Sequence, residues 1–166
     1  MISRVQQNIL QGCRDGDLDR VREALSDGAD PNFRYTDNQT LLHFACIKVE
    51  PEIVDELLVS GADPNMVNKF GYTPLHFAAD QSQLNTVKGL LANGADPTIE
   101  NRFGESPLTA ITEGIFDFRQ NKLKLQVVKL LEDYFPTLQN LSMRSIRGNR
   151  INITEIPPKL YSPNKE

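Results

Sequence analysis

Residues 61–79, GADPNMVNKFGYTPLHFAA, decide the fold, because both ends of this stretch return elsewhere in the chain. Its beginning, GADPN, also occupies residues 28–32, and a close variant, GADPT, occupies residues 94–98. The distance along the chain from Gly28 to Gly61 equals that from Gly61 to Gly94. A fixed period of about 33 residues is typical of a stack of repeated supersecondary units.

The end of the same stretch, TPLHFAA at residues 73–79, repeats in the same phase. TLLHFAC occupies residues 40–46 and SPLTAIT occupies residues 106–112, whereas QNILQGC at residues 7–13 is a degenerate copy. No such unit can bury its apolar face alone, but stacked neighbouring units can. We therefore expect four repeats, the first of them a capping repeat with a polar outer helix that carries Asp17, Asp19, Arg20 and Arg22.

Each unit is predicted to form two short helices and a loop. Thr40, Thr73 and Ser106 stand where the first helix needs an N-cap hydroxyl. Pro74 and Pro107 follow at the first helical position, where a missing N–H costs nothing. Glycines recur where a left-handed residue would end the second helix, at Gly28, Gly61 and Gly94.

The fourth unit departs from the period. Leu84 of the third unit corresponds best to Leu125, a step longer than the one that separates Gly61 from Gly94, so extra residues fall within 114–122. We expect this insertion to lengthen the loop between the two helices. The array is thus predicted to span residues 3–135, with a separate tail at 136–166.

Charge divides the chain at nearly the same place. Residues 1–136 hold 13 basic and 20 acidic side chains, a net charge of −7, whereas residues 137–166 hold five and two, a net charge of +3. The overall charge of −4 gives no general attraction to nucleic acid or to anionic lipid. No apolar run is long enough to span a membrane, and the N-terminus lacks the apolar core of a secretory signal.

The repeat resembles the ankyrin repeat, through Thr73-Pro74-Leu75-His76, Ala78-Ala79 and the three Gly-Ala-Asp segments. The resemblance implies an all-α ankyrin-repeat solenoid of about four helix-turn-helix repeats with hairpin loops, followed here by a short C-terminal helical tail. It also implies that His43 and His76, the two histidines of the chain, tie adjacent loops by hydrogen bonds; the alternative is a metal or catalytic role.

The two cysteines, Cys13 and Cys46, are also separated by one full period of the repeat. Packed helices in consecutive repeats lie about 8–10 Å apart, whereas a disulfide needs Cα atoms within about 7 Å. We therefore expect two buried thiols that act as small core residues, which suits a reducing compartment.

Ankyrin-like stacks present hairpin loops and first helices as a concave surface, so the exposed positions beside the motif are the candidates for target binding. Phe70, Tyr72 and Phe103 stand on otherwise polar loops, and aromatic residues ringed by charge are typical of interface centres. The alternative is that Phe70 and Phe103 pack against neighbouring hairpins, while Phe44 and Phe77 are expected to be structural. The predicted surface consists of Lys69, Phe70, Tyr72, Asp80, Gln81, Arg102, Phe103 and Glu105.

An ankyrin array followed at once by this tail resembles the ankyrin-repeat-and-SOCS-box family. The box of that family begins with Ser or Thr followed by Leu. A Cys or small residue stands four positions after the Leu, and an aliphatic residue stands four positions after that. Thr137-Leu138, Ser142 and Ile146 match this spacing. The resemblance implies that a tail helix binds the elongin B/C adaptor, with Leu138 in an apolar pocket. The implied contact residues are Thr137, Leu138, Leu141, Ser142 and Ile146.

A later Leu-Pro-x-Pro segment of that family contacts a cullin scaffold. Ile156, Pro157 and Pro158 stand in its place, with one residue missing between the prolines and Ser142 in place of the usual Cys. The alternative is that the tail is a C-terminal capping helix followed by a loose end.

Hydrolase, phosphate-loop and zinc-protease motifs are absent from the sequence, so we expect no enzyme, no catalytic residue, no cofactor and no metal. The leading hypothesis is an adaptor that holds a target protein on its repeats and docks its tail on elongin B/C within a cullin-type ubiquitin ligase. The alternative is a stand-alone ankyrin scaffold or inhibitor that masks a partner protein. We expect a monomer before complex formation, in the cytoplasm or nucleus, without nucleic-acid or membrane partners.

Overall fold

The computed structural model describes residues 2–113 and 122–134 of the chain. Those residues form eight α-helices and no strand, which confirms the predicted all-α solenoid of two-helix repeats. The helices are α1 (Arg4–Asp15), α2 (Leu18–Ser26), α3 (Leu41–Lys48), α4 (Pro51–Val59), α5 (Pro74–Asp80), α6 (Leu84–Ala92), α7 (Pro107–Glu113) and α8 (Lys122–Tyr134). We call the odd-numbered helices inner and the even-numbered helices outer. Along the stack, inner helices pack on inner helices and outer helices pack on outer helices.

Side-chain caps start the inner helices where the sequence predicts them. Thr40 and Thr73 each accept the backbone N–H of the third helical residue, a histidine whose ring accepts the threonine N–H in return. In α7 the same exchange is made by Ser106, whose N–H donates to Thr109 Oγ1 at 2.7 Å while its Oγ accepts the Thr109 N–H at 3.2 Å. The predicted prolines occupy the first position of α5 and α7, at Pro74 and Pro107.

Residues with a left-handed backbone conformation occur at two places in each of the first three repeats. The predicted glycines follow the outer helices with φ near +86°, at Gly28, Gly61 and Gly94. The turn between the two helices of a repeat also holds a left-handed residue, which is Gly16 in the first repeat, Val49 in the second and Ser82 in the third. Val49 has φ +64° and is half exposed, so a β-branched residue adopts there a conformation that its Cβ disfavours.

Small residues let the two helices of a repeat approach closely. Gly12, Ala45 and Ala78 hold equivalent buried positions on the inner helices, and a Cβ added to Gly12 would lie 3.0 Å from Val21 Cγ2. Ile111 takes this position in the fourth repeat and is fully buried there. The rest of the core consists of apolar residues that recur once per repeat, with Ile9, Leu42, Leu75 and Leu108 on the inner helices and Val21, Val54, Val87 and Val128 on the outer helices.

The first repeat differs from its prediction at one residue. Asp17, predicted to be part of the polar outer helix, caps that helix instead, because α2 begins at Leu18 and the Asp17 carboxylate accepts the Arg20 N–H at 3.0 Å. A short acidic side chain is well suited to this end of a helix, where backbone N–H groups lack partners.

Gln6 joins the first repeat to the loop that follows it. Its buried amide donates from Nε2 to Asp30 O and to Tyr35 Oη, both at 2.8 Å, and accepts the Asp30 N–H at 3.0 Å. Tyr35 Oη in turn donates to Gln6 O at 2.9 Å, and burial raises the pKa of this phenol to about 12. The first repeat is therefore fixed by a closed polar network and not only by apolar packing.

Asparagines in the GADPN segments form a second link between repeats, which we call the outer ladder. Asn32 donates from Nδ2 to Gly61 O at 2.9 Å and accepts the Asp63 N–H at 2.7 Å. Asn65 makes the same two bonds one repeat later, to Gly94 O at 2.9 Å and from the Asp96 N–H at 2.7 Å. The loops that connect successive repeats are thereby held in register.

The fourth repeat keeps the outer-helix pattern at the longer step predicted from Leu84 to Leu125. Val128 and Leu131 of α8 are buried as Val87 and Leu90 of α6 are. Glu132 stands in the position of Leu91, where burial and then the Asp133 charge raise the pKa of its carboxyl group. Residues 114–121 of the predicted insertion, the last residue of the predicted array at 135 and the whole tail at 136–166 lie outside the described residues.

Candidate protein-binding surface

Hairpin loops precede the inner helices α3, α5 and α7, and asparagines shape the last two of these loops. Asn68 Oδ1 accepts the N–H groups of Phe70 and Tyr72 at 2.9 and 3.1 Å. Asn101 Oδ1 accepts those of Phe103 and Glu105 at 2.9 and 3.0 Å. Because one buried amide holds both sides of each tip, the residues between them are presented in a defined orientation.

Adjacent hairpins are joined by backbone hydrogen bonds. The Lys69 N–H donates to Asp37 O at 2.8 Å, and the Arg102 N–H donates to Phe70 O at 2.9 Å. Gly71, with φ +85°, lies where an added Cβ would be 2.9 Å from Asn101 Cα and from Arg102 N. Glycine is therefore required at this tip both for its conformation and for the close approach of the next hairpin.

The two histidines form a second set of links behind the tips, which we call the inner ladder. Thr40 N–H donates to His43 Nδ1 at 3.1 Å, so the ring proton lies on Nε2, which donates to Tyr72 O at 3.0 Å. His76 repeats this arrangement between Thr73 N–H and Glu105 O, each at 3.0 Å. The predicted role as ties between adjacent loops is thus confirmed.

The environment of the inner ladder keeps both imidazoles neutral. Burial lowers the pKa of His43 to about 4, against the opposing effect of its bond to the Tyr72 carbonyl. Burial also lowers the pKa of His76. No group of three or more metal-ligating side chains occurs among the described residues, so neither ring takes part in such a cluster there.

The predicted target-binding aromatics differ in exposure. Phe103 is 70% exposed and Phe70 is 45% exposed, whereas Tyr72 is half-buried and less accessible than the sequence suggests. Tyr72 contacts His76, Phe77 and Phe103, with ring centroids 5.4, 5.6 and 6.4 Å away. Tyr72 therefore supports the exposed Phe103 ring from below.

Lys69, Arg102 and Glu105 of the predicted surface differ in their contacts and in their exposure. Lys69 Nζ lies 2.6 Å from Asp37 Oδ1 and 4.8 Å from the Phe70 ring centre, so this ammonium has both an ionic and an aromatic neighbour. Arg102 is exposed. Glu105 is half-buried and accepts from Asn101 Nδ2 at 2.8 Å.

Asp80 and Gln81 lie at the end of α5, away from the hairpin tips. Asp80 is the last residue of that helix and is exposed. Gln81 is exposed, and its Nε2 donates to Ile47 O of the preceding repeat at 3.2 Å. These two residues lie at the opposite end of the inner helix from Lys69 and Phe70, so the predicted surface runs along the helix and not only across the tips.

Two pairings near the predicted surface were not predicted from the sequence. Asp37 neutralises Lys69, and the signal for this pair is an opposite charge almost one period upstream. The guanidinium of Arg14 in α1 lies 5.5 Å from the Phe44 ring centre. This contact between a cation and an aromatic ring resembles that of Lys69 with Phe70 and involves the first repeat. Phe44 and Phe77 are partly buried against the core, in agreement with their predicted structural role.

The remaining sequence predictions divide between the core and the tail. Cys13 and Cys46 are free and fully buried, as predicted, and burial raises the pKa of the Cys13 thiol to about 12. No helix among the described residues is both long and apolar enough to cross a membrane. The predicted adaptor-binding and cullin-contact residues all lie outside the described residues: Thr137, Leu138, Leu141, Ser142, Ile146, Ile156, Pro157 and Pro158.

Comparison with known proteins agrees with this geometry. A family model described as ankyrin repeats, in three copies, matches residues 9–101, which is more than half of the chain. No curated protein matches the chain at a significant level. The match contains the hairpin loops of the second and third repeats and most of the loop that leads to the fourth.

Proposed function

The chain belongs to the ankyrin-repeat family, and from that premise we propose that it is a substrate receptor of a ubiquitin ligase of the elongin and cullin type. Ankyrin repeats bind protein partners, so the array would hold the target. The tail would dock on elongin B/C. The chain would do no chemistry, and its contribution would be a raised effective concentration of the target beside the transferring enzyme.

One observation carries the ligase part of the proposal. The last outer helix ends at Tyr134, and Thr137-Leu138 begins the spacing of the adaptor-binding box shortly afterwards. At 100° per residue, Leu138, Leu141, Ser142 and Ile146 share one helical face, which would present a single apolar side to the adaptor. The cullin contact would come from Ile156, Pro157 and Pro158.

Co-purification with elongin B and C tests this proposal. The full chain is co-expressed with both proteins, alongside Leu138→Arg on the proposed adaptor face and Asn140→Arg on the opposite face. We expect the wild type and Asn140→Arg to recover elongin B/C and Leu138→Arg to lose it, because a charge in an apolar pocket leaves a desolvated cation. If all three proteins recover the same background amount, the ligase proposal is wrong.

A second candidate is a stand-alone ankyrin scaffold or inhibitor that masks a partner protein. It is favoured by the departures of the tail from the family box, namely Ser142 for Cys and the missing residue between Pro157 and Pro158. Deletion of residues 137–166 separates the two candidates. An unchanged set of bound partners together with a loss of stability would favour the scaffold, whereas loss of elongin B/C with target binding retained would favour the receptor.

The two candidates agree on the setting of the protein. Both would act as a monomer before complex formation, in the cytoplasm or nucleus. Two unpaired buried thiols are consistent with such a reducing compartment.

A further inference from the structure

The hairpin tips carry charges whose pairing depends on the register between repeats. Asp37 on the second hairpin neutralises Lys69 on the third, with 2.6 Å between Oδ1 and Nζ. One repeat later, Phe70 holds the position of Asp37, and Arg102 holds the position of Lys69. The same backbone bond joins each pair, from Lys69 N–H to Asp37 O and from Arg102 N–H to Phe70 O. The position that carries the Asp37 carboxylate opposite Lys69 therefore carries an apolar residue, Phe70, opposite Arg102.

Arg102 is consequently a cation without an ionic partner among the described residues. None of the ion pairs found there includes it. Glu100 and Glu105 flank Arg102 along the chain, but neither forms an ion pair with it, and Glu105 is hydrogen-bonded to Asn101. Arg102 is exposed and stands next to Phe103, which is 70% exposed, and opposite Phe70, which is 45% exposed. An exposed arginine that lacks an ion pair among the described residues and has exposed phenylalanines as its neighbours along the chain and across the hairpin contact matches the composition that interface centres favour.

We infer that Phe70, Arg102 and Phe103, here called the tip triad, bind a protein segment that presents an Asp or Glu carboxylate next to an apolar side chain. The carboxylate of the target supplies the negative charge that Phe70 lacks, and the exposed guanidinium of Arg102 can bind it through two N–H groups at once. The apolar neighbour covers the exposed faces of Phe70 and Phe103. This inference rests on the target-binding part of the proposed function and not on its ligase part.

A carboxylate fits this place better than a phosphate. Phosphorylated segments are recognised by clusters of arginines, because a phosphate carries nearly two charges. Of the three basic residues on the described hairpin loops, Lys69 is paired with Asp37 and Arg34 donates to Val67 O at 3.0 Å, so Arg102 is the single one without a described acceptor for its side chain. The body of the chain is acidic, with a net charge of −7 over residues 1–136, so a dianion would meet more repulsion than a single carboxylate.

The test is a selection of short random peptides, displayed on phage, against the full chain and against Arg102→Glu. Arg102→Ala and Lys88→Ala are then compared by calorimetric titration with the peptides that the wild type enriches. Lys88 is exposed on the outer helix α6, so its loss changes the net charge equally without touching the tips. The hairpin contact of Arg102 is made by its backbone N–H, so removing the side chain leaves that bond in place.

We expect wild-type selection to enrich peptides with an acidic residue beside an aromatic or aliphatic residue. Arg102→Ala should weaken them about tenfold, the value of one good charge-assisted contact, while Lys88→Ala should leave them unchanged. Arg102→Glu should select basic residues in place of acidic ones. Enriched peptides without an acidic preference, equal losses in the two alanine variants, or the absence of any enriched peptide would each overturn the inference. Elongin binding through the tail is unaffected by any of these outcomes, so the ligase proposal stands or fails separately.

Discussion

The inner and outer ladders join the same successive repeats with hydrogen bonds of similar length, yet they differ in burial. His43 and His76 donate to the next hairpin at 3.0 Å and are almost fully buried, with 0% and 2% of their surface exposed. Asn32 and Asn65 donate to the next loop at 2.9 Å in partly exposed surroundings. A broken bond in the outer ladder can be replaced by water, whereas a broken bond in the inner ladder leaves unsatisfied groups in the interior. Hydrogen bonds of similar length in the two ladders should therefore contribute unequally to the stability of the fold.

The largest expected effect is the loss of a histidine from the inner ladder. His76→Ala removes a buried side chain and leaves Thr73 N–H and Glu105 O without their partner. We expect the free energy of unfolding to fall by about 4 kcal/mol, from a cavity together with two unsatisfied groups. Urea denaturation followed by circular dichroism measures it.

A conservative variant separates the two parts of that loss. His76→Gln keeps an amide able to donate toward Glu105 O, so it should recover part of the stability that His76→Ala loses. If His76→Ala costs no more than the matched alanine variant of the outer ladder, burial does not distinguish the two ladders and the comparison above is wrong.

Acid should break the inner ladder without mutation. Because burial lowers the pKa of His43 to about 4 from the ordinary value of 6.5, the unfolded chain binds a proton that the folded chain does not over this range. Stability is therefore fully present above pH 6.5 and is lost as the pH falls toward 4, by about 3 kcal/mol for His43. The lowered pKa of His76 adds to the loss in the same direction.

Urea titrations at several pH values between 7 and 4 measure this dependence. His43→Gln cannot titrate, so its stability should change less over this range than that of the wild type. An outer-ladder variant should keep the wild-type slope. Equal slopes in the wild type and His43→Gln would assign the acid sensitivity to other groups.

The outer ladder should contribute less per residue. Asn65→Ala removes the bonds to Gly94 O and from Asp96 N–H, but water can reach the groups that are left. We expect a loss of about 1.5 kcal/mol, the usual net value of two partly exposed hydrogen bonds. Urea denaturation of Asn65→Ala and His76→Ala under the same conditions gives the ratio of their losses in the free energy of unfolding. A loss in Asn65→Ala as large as that in His76→Ala would show that exposure does not weaken the outer ladder.

The inner ladder could be predicted from the sequence, and the outer ladder could not. The resemblance to the ankyrin repeat implies that His43 and His76 tie adjacent loops, and both bonds to the next hairpin are present in the structure. Asn32 and Asn65 belong to an equally regular segment, but they lie in loops. The hydrogen-bond partner of an amide side chain in a loop depends on the distance between two stacked loops. A period along the chain does not give that distance.

The candidate surface was predictable to a similar extent. Phe70 and Phe103 were identified as unusual in polar loops, and both are substantially exposed. The half-burial of Tyr72 depends on rings from its own repeat and the next one, Phe77 and Phe103. The isolation of Arg102 depends on a cross-hairpin register that appears only once Lys69 is seen beside Asp37.

A substitution in the exposed part of the stack should raise stability instead of lowering it. Val49 has φ +64° in the turn where Gly16 and Ser82 stand in neighbouring repeats, and half of its surface is exposed. Val49→Gly relieves the left-handed strain with little loss of packing, so we expect a gain of about 1 kcal/mol. The midpoint of thermal unfolding measures it, with Val49→Ala as the control that keeps a Cβ and should gain less.

The smallest expected effect is that of the ion pair between Lys69 and Asp37, a third kind of link between the same repeats. Both side chains are nearly half exposed, so water and salt screen the charges, and their coupling should be about 0.5 kcal/mol. A double-mutant cycle with Lys69→Ala and Asp37→Ala, measured at low and high salt, isolates this coupling from other contributions. The coupling should shrink at high salt, whereas the loss in His76→Ala should not, since the inner ladder carries no net charge near neutral pH. A coupling as large as the loss in His76→Ala would show that burial is not what ranks the links between repeats.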